Sequence, residues 1–354
     1  MRKYYIDNIR ILCILMLFPF HASICFNNFG EKFYVHMASS TALTLIPTAV
    51  YPWWMSLLFS LAGISTVYAL KNRTAGEYAK ERIFKLFIPL LFGILLIIPP
   101  QTYIADVFHN GYTGGYFEHY ITFFTKVTDF TGYDGAFTPG HLWFILYLFV
   151  ISMVALPLLV WYSKREKKFD FGKINIALLA ILGILILGAL TFVADISGKS
   201  VGDFMACFLL GFFVLSNENV LEKLKKYSTS LGAVWLILIA IRCAMWIFDV
   251  KGDVLWYTGY KSLEWIGILA SLGLGGRFLD FKNKFTTYFS PAAFPIYFFH
   301  QTTLVITAFF TAKFINNTAL QFILITIISF VITIGVYELF RRIPITRFMF
   351  GIKK

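Results

Sequence analysis

The chain has 354 residues, 58% hydrophobic and only 14% charged, with a mean hydropathy of +0.71. A soluble domain carries about a quarter charged residues and cannot hide this much apolar surface, so a soluble enzyme is excluded. The formal net charge of +12 would suit a nucleic-acid binder, but the placement of the charges assigns it to membrane orientation and anionic lipid.

Ten apolar spans are predicted, at 6–26, 51–70, 86–105, 141–162, 174–194, 201–217, 230–248, 255–276, 291–312 and 318–340. The fold class is therefore all-α, a polytopic membrane protein, read as a single transmembrane domain over 1–354 without an internal repeat. The first span opens with basic residues and an apolar run, as a signal peptide does. Asp7 and Arg10 interrupt it and nine spans follow, so it reads as an uncleaved helix. Arg10 and His21 lie eleven residues apart in it. At about 100° per residue they share one face, about 16 Å apart along the axis. Ionisable side chains facing a bundle interior are costly and mark a site or a pathway. Snorkelling to the headgroups is the bland reading of Arg10, and the face it shares with His21 favours an inward one.

The stretch KNRTAGEYAKERIFK is expected to continue helically from the second span toward the third. Arg82 and Lys85 stand at the cytoplasmic mouth of the third span. Membrane orientation alone would place them there, and with Arg10 they would also form a phosphate-binding cluster for a cytoplasmic donor. The longest outward connection, 106–140, is rich in Gly, Tyr and Phe and is expected as a loop. Its aromatics either stack on sugar rings or form an interfacial belt.

His141 opens the fourth span in PGHLWF, beside Trp143, and His36 sits in a loop. Pro19 and Pro295 precede His21 and His300, each freeing a carbonyl one turn earlier and bending its helix near a buried imidazole. Ser290-Pro291 reads as an N-cap and first-turn proline opening the ninth span. Arg242 in the seventh span calls for a partner, with Glu264, Asp203 and Asp249 as candidates, and Glu338 in the last span is a candidate partner for Arg10. Cys13, Cys25, Cys207 and Cys243 fall within spans with no CxxC and no zinc-like histidine spacing, so they read as small buried hydrophobes, and no metal site is expected.

Lys and Arg concentrate on alternate connections, 23 on one side against 6 on the other (Lys32, Lys126, Lys199, Lys251, Lys261 and Lys313), with Arg10 and Arg242 inside spans. The positive-inside rule then puts both termini in the cytoplasm. A lone membrane histidine is often a packing group. Three at middle to outer depth, His21, His141 and His300, would supply a base, an orienting partner and a substrate contact if they converge.

The Arg10-to-His21 spacing resembles the signature of the acyltransferase-3 family of integral membrane acyltransferases. Supporting matches are Arg82, Lys85, Leu86 and Pro89 in the third span, GHLWF at 140–144 and FPIYFFH at 294–300. The start DNIRILCILMLFPFH, YELFRRIP at 337–344 and the closing RFMFG look most like the glucan succinyltransferase branch. Lys85 stands where an arginine is common in the family, and the second span reads FSLAGIST in place of a phenylalanine-rich run.

The resemblance implies transfer of an acetyl or succinyl group from cytoplasmic acyl-CoA to a hydroxyl of an extracytoplasmic glycan. Acyl-CoA would be a co-substrate, with no permanently bound cofactor. His21 and Arg10 would be catalytic, and Arg82, Lys85 and Arg73 would bind the donor. His141, Trp143, Tyr297, His300, Glu338 and Arg242 would support or contact substrate. The expected partners are acyl-CoA, the glycan and membrane lipid, with no nucleic acid, and the expected location is the cell membrane. A transporter or flippase for a sugar-linked substrate is the rival reading; it would need no coenzyme A, and the paired broken helices common in transporters are not visible.

Overall fold

A computed structural model of the chain describes residues 3–166, 169–196 and 198–353. Arg2, Lys167, Lys168 and Lys354, four of the basic residues behind the orientation, lie outside that set. The helices in chain order are α1 (Tyr4–Leu15), α2 (Leu17–Ile24), α3 (Thr41–Lys71), α4 (Ala75–Arg82), α5 (Ile88–Leu96), α6 (Pro99–Asn110), α7 (Tyr116–Thr125) and α8 (Trp143–Ser163). They continue as α9 (Ile176–Leu190), α10 (Val201–Leu210), α11 (Glu218–Lys226), α12 (Ser228–Ile247), α13 (Asp253–Phe278), α14 (Lys284–Phe314), α15 (Thr318–Phe340) and α16 (Pro344–Met349). Among the described residues the strand content is one antiparallel rung pair, Asp195–Ile196 with Lys199–Ser200.

Every predicted span falls on a helix, and the protein is an all-α, multi-pass membrane protein. Among the described residues seven helical stretches are long and apolar enough to cross a bilayer alone. The bent pair Val201–Leu215 and Glu218–Lys226, turned by 95°, makes an eighth. Two of the ten expected spans fall short for different reasons. Helix α9 has 15 residues, which at about 1.5 Å each leaves it below the ~30 Å hydrocarbon core. Helix α13 is long enough but carries Asp253, Lys261, Glu264 and Arg277.

Three local expectations are corrected. The helix does not run on from α3 into α4: it stops at Lys71 and restarts where Thr74 and Glu77 form a reciprocal cap. Asn283 and Thr286 cap α14 in the same way, so it opens seven residues ahead of Pro291, which lies inside it. The outward connection contains helix α7. The bend expected at each proline is reduced to a one-residue interruption before Pro19, and Pro295 lies inside the uninterrupted helix α14. Proline at that position leaves the Leu15 carbonyl without its helical donor, and the chain breaks at Met16 between α1 and α2.

The chain forms two compact units. The first comprises Met1–Cys13, Thr48–Arg82 and Tyr147–Ser290. Here α9, α11 and α12 pack on α13, and the buried Trp265 indole donates to the Leu179 carbonyl at 3.1 Å. Helix α3 meets α10 and the π-helical turn Gly211–Leu215 through glycines. A Cβ on Gly63 would run into the Phe208 carbonyl, and one on Gly211 into the Ser60 backbone. The second unit comprises Ile14–Pro47, Ile83–Leu146 and Pro291–Lys354. Helix α15 packs on α2, with Phe18 edge-on to Phe330 at 5.2 Å. The segment after α2 is pinned back by backbone bonds from Met37 to Cys25 and from Ser40 to Phe26.

The glycine contact gives a direct test. Gly63→Val is expected to cost about 1–3 kcal/mol by overpacking against backbone that cannot retreat. Gly276→Val, at a position open to 4 Å, serves as the control. Thermal unfolding in detergent, followed by size-exclusion fluorescence, reads both.

Candidate active site

Three imidazoles gather in the second unit. Helix α2 carries His21, the first turn before α8 carries His141, and α14 carries His300. The His300 ring lies 5.2 Å from His21 and 5.0 Å from His141, centroid to centroid. The expected convergence is observed, with His300 in the middle.

Their hydrogen bonds separate the three. A carbonyl oxygen only accepts, so the ring nitrogen facing it carries the proton in the neutral ring. His141 Nε2–H donates to the Phe298 carbonyl at 2.9 Å, and its Nδ1 lies 3.4 Å from the Gln101 amide. Both nitrogens are engaged, and the Tyr297 hydroxyl donates to the His141 carbonyl. Gln101 is held in turn by Thr302 at 2.7 Å and by the Gln301 amide at 3.0 Å. His300 Nδ1–H donates to the Tyr297 carbonyl at 2.5 Å, which leaves the lone pair on Nε2. That Nε2 is buried and has no hydrogen-bond partner among the described residues, and the same holds for Nδ1 of His21. Both ring nitrogens of His141 are thus taken up, whereas His21 and His300 each keep one nitrogen unpartnered among the described residues.

Around His21 stand residues that the sequence did not single out. Phe33 stacks on it at 5.9 Å with the planes 12° apart. Phe33 has φ +44°, a left-handed backbone that costs a bulky residue on the order of 1–3 kcal/mol. Its carbonyl accepts from His109 Nε2 at 2.7 Å, which fixes the turn. The sequence held only the preceding Asn-Asn-Phe-Gly turn signal, which says nothing about where the ring goes. Trp143 is half-buried at the start of α8.

In the first unit two arginines meet adjacent hydroxyls of α3. Arg10 donates to Ser65 Oγ at 3.2 Å and pairs with Asp7 at 3.1 Å. Arg82 donates to Thr66 Oγ1 at 3.3 Å and lies over the Tyr78 ring at 4.6 Å. The two hydroxyls give their own protons to the Leu61 and Ala62 carbonyls, so the donors that suit a phosphate oxygen here are the remaining guanidinium N–H groups. Arg73, half-exposed, pairs with Glu81 at 3.2 Å. Lys85 belongs to the second unit, in the π-helical turn Ile83–Phe87. Glu338 takes Arg341 at 2.7 Å.

Arg242 does not find the expected carboxylate. Its guanidinium sits 4.0 Å above the Trp256 ring and 5.6 Å from that of Tyr260. Two of the carboxylates proposed for it, Asp203 and Glu264, are each 2.6 Å from Lys261 Nζ, and Asp249 takes Lys251 at 2.5 Å. Lys261, counted above with the outward connections, is only 3% exposed, inside α13. Ser56 donates to Glu264 at 2.5 Å. Ligand atoms of Asp203, Cys207 and Glu264 lie within 4.8 Å of one another, and the Lys261 ammonium already stands against both carboxylates as their cation. The four cysteines are free thiols. Outside the spans, His119 bridges Asp106 and Thr102, and burial lowers its basicity against the pull of Asp106.

Lys261→Met would leave two buried carboxylates without their counter-ion, a loss of about 3–5 kcal/mol. Adding Asp203→Asn and Glu264→Gln to it is expected to restore most of the folded yield in membranes. Equal yields for the single and triple variants would contradict the pairing.

A family model described as an acyltransferase domain, acyltransferase-3, matches residues 3–338. Among similar proteins are those named glucans biosynthesis protein C from Salmonella heidelberg (strain SL476), Salmonella typhi and Salmonella typhimurium (strain LT2). Each is 23% identical over 381 residues, covering 99% of this chain and 94% of the relative. No solved structure matches the chain. The chain belongs to the acyltransferase-3 family.

Proposed function

We propose, on the premise of that membership, that the chain is a membrane O-acyltransferase of the cell membrane. It would move an acetyl or succinyl group from cytoplasmic acyl-CoA to a hydroxyl of an extracytoplasmic glycan. The observation that carries this reading is the His21–His300 pair, rings 5.2 Å apart, each with a buried nitrogen unpartnered among the described residues. A glycan acceptor fits the relatives' naming for glucan biosynthesis.

The chemistry needs a base of imidazole strength. As the sugar oxygen bonds to the thioester carbonyl, its proton passes to His21, and general-base help of this kind contributes about 10²–10⁴-fold. Collapse of the tetrahedral intermediate breaks the C–S bond, and the departing thiolate takes that proton. The products are an ester and the coenzyme A thiol. In the carrier variant His21 first forms an N-acyl bond as the thiol leaves, and the sugar oxygen then displaces it. In either course His300 Nε2 is the neighbouring lone pair that holds a proton in transit, and His141 and Tyr297 fix the ring around it. Arg10, Arg82 and Arg73, in the first unit, would bind the phosphates of the donor, and Lys85, in the second, is a separate candidate donor contact.

His21→Ala is expected to lower acyl transfer by at least about 10²-fold while membrane yield stays unchanged. His300→Phe keeps the ring packing and removes the lone pair, so it should lose a similar share. The measurement is thiol release from acetyl-CoA and succinyl-CoA by purified membranes supplied with glucan, with mass spectrometry of the glycan. Wild-type ester formation in His21→Ala would refute the assignment, and transport without thiol release would favour the rival reading.

A further inference from the structure

Helix α7, in the outward connection, shows three faces where a loop was expected. At about 100° per residue, Tyr116, His119 and Phe123 fall within an arc of about 60°. His119 and Phe123 are fully buried, and Tyr116 is half-buried. Thr122, Glu118 and Thr125 occupy a second arc of about 60°, polar throughout. Between them, over about 100°, lie Tyr120, Phe124, Phe117 and Ile121. Phe117 is 83% exposed and Ile121 67%, so this apolar face has no protein cover.

The polar clamp on the inner side explains why the helix presents this face outward. His119 Nδ1 lies 3.3 Å from Asp106, and its Nε2 lies 3.2 Å from Thr102, both on α6. The rotation of α7 about its axis is thereby set, and the apolar arc cannot roll inward without breaking both bonds.

A second contact gives the depth. The Tyr120 hydroxyl donates to the carbonyl of Leu95 at 3.1 Å, in the last turn of α5. That turn belongs to the span Ala75–Asn110, and its Leu91, Leu95 and Leu96 side chains are exposed as lipid-facing residues are. The apolar arc of α7 is thus continuous with the lipid face of a membrane span.

We propose that α7 lies in the outer leaflet at the corner where protein, lipid and water meet, with Phe117, Ile121 and Phe124 inserted among acyl chains. The occupant of the face is lipid hydrocarbon. A helix with this division of faces suits the interface plane, because each arc meets a different solvent there. Helix α7 is therefore a membrane-seated part of the connection 106–140, with its Glu118 and Thr125 side turned to water.

The test uses the full chain in phosphatidylcholine nanodiscs, with a nitroxide on Ile121→Cys, Phe117→Cys, Glu118→Cys or Thr125→Cys and the parent protein as background. Power saturation with oxygen, which concentrates in lipid, and with a water-soluble nickel chelate reads the environment. Oxygen is expected to dominate at 117 and 121, the chelate at 118 and 125, with the accessibility ratio changing by about tenfold between the faces. Chelate access at 121 equal to that at 118 would overturn the proposal in favour of a water-exposed loop. Exclusion of both reagents at 121 would overturn it in favour of a second copy covering the face. If one variant is not monodisperse, the other position on the same face decides.

Discussion

Hydrocarbon offers no hydrogen bonds, so every polar atom inside the spans is paired within the protein or left at a cost of several kcal/mol (about). That constraint organises the molecule. Lys261 holds two carboxylates, Arg242 lies on aromatic faces, and Arg10 takes Asp7 and Ser65. His141 uses both ring nitrogens. Against this background an unpaired buried nitrogen on His21 and another on His300 stand apart. Other buried polar atoms are unpartnered too, such as Asp203 Oδ1 and Trp235 Nε1. His36 Nδ1 is unpartnered as well but belongs to the segment after α2, so among the described residues within the spans the unpartnered imidazole nitrogens are those of His21 and His300, each a lone pair that can take a proton.

The backbone around these rings departs from regular helix where the rings need room. The helix is interrupted at Met16, three residues before Pro19 and five before His21. Phe33 holds a left-handed conformation to lay its ring parallel to His21. In α14 the Tyr297 carbonyl accepts from His300 Nδ1, so the helix itself selects the tautomer. Strain and irregular backbone are tolerated at such places because the surrounding packing over-determines them.

The spans and the histidine set were legible because each is a one-dimensional signal, hydropathy or a residue type at a given depth, whereas a proline's missing donor did not interrupt α14 at Pro295. Partner choice was not legible. Glu264 and Asp203 were natural candidates for Arg242 by depth, but depth does not say which face of its helix, α13 or α10, each carboxylate occupies. Lys261 and Glu264 are three residues apart and so share a face, a local cue that outweighs depth. Helix α7 was missed because its period is split three ways. An apolar arc, a polar arc and a buried aromatic arc within ten residues do not sum to the two-faced pattern that marks a helix. Phe33 was invisible for a different reason, since only the closed turn brings it to His21.

The polar groups that steady the imidazoles are neutral: backbone carbonyls of Phe298 and Tyr297, the amides of Gln101 and Gln301, and the hydroxyl of Thr302. A carboxylate would fix a tautomer equally well, as in hydrolase triads, but it would bring a charge whose burial costs several kcal/mol (about) and would stabilise a lasting imidazolium. A carbonyl fixes the proton on one nitrogen without that charge. His300, held this way beside His21, keeps its Nε2 lone pair free to take a proton in passing. With no anion beside it to retain that proton, it returns it to the next acceptor formed. In the acyl transfer proposed above that acceptor would be the departing thiolate, and a neutral cradle would suit a reaction in which proton gain and loss fall within one catalytic cycle.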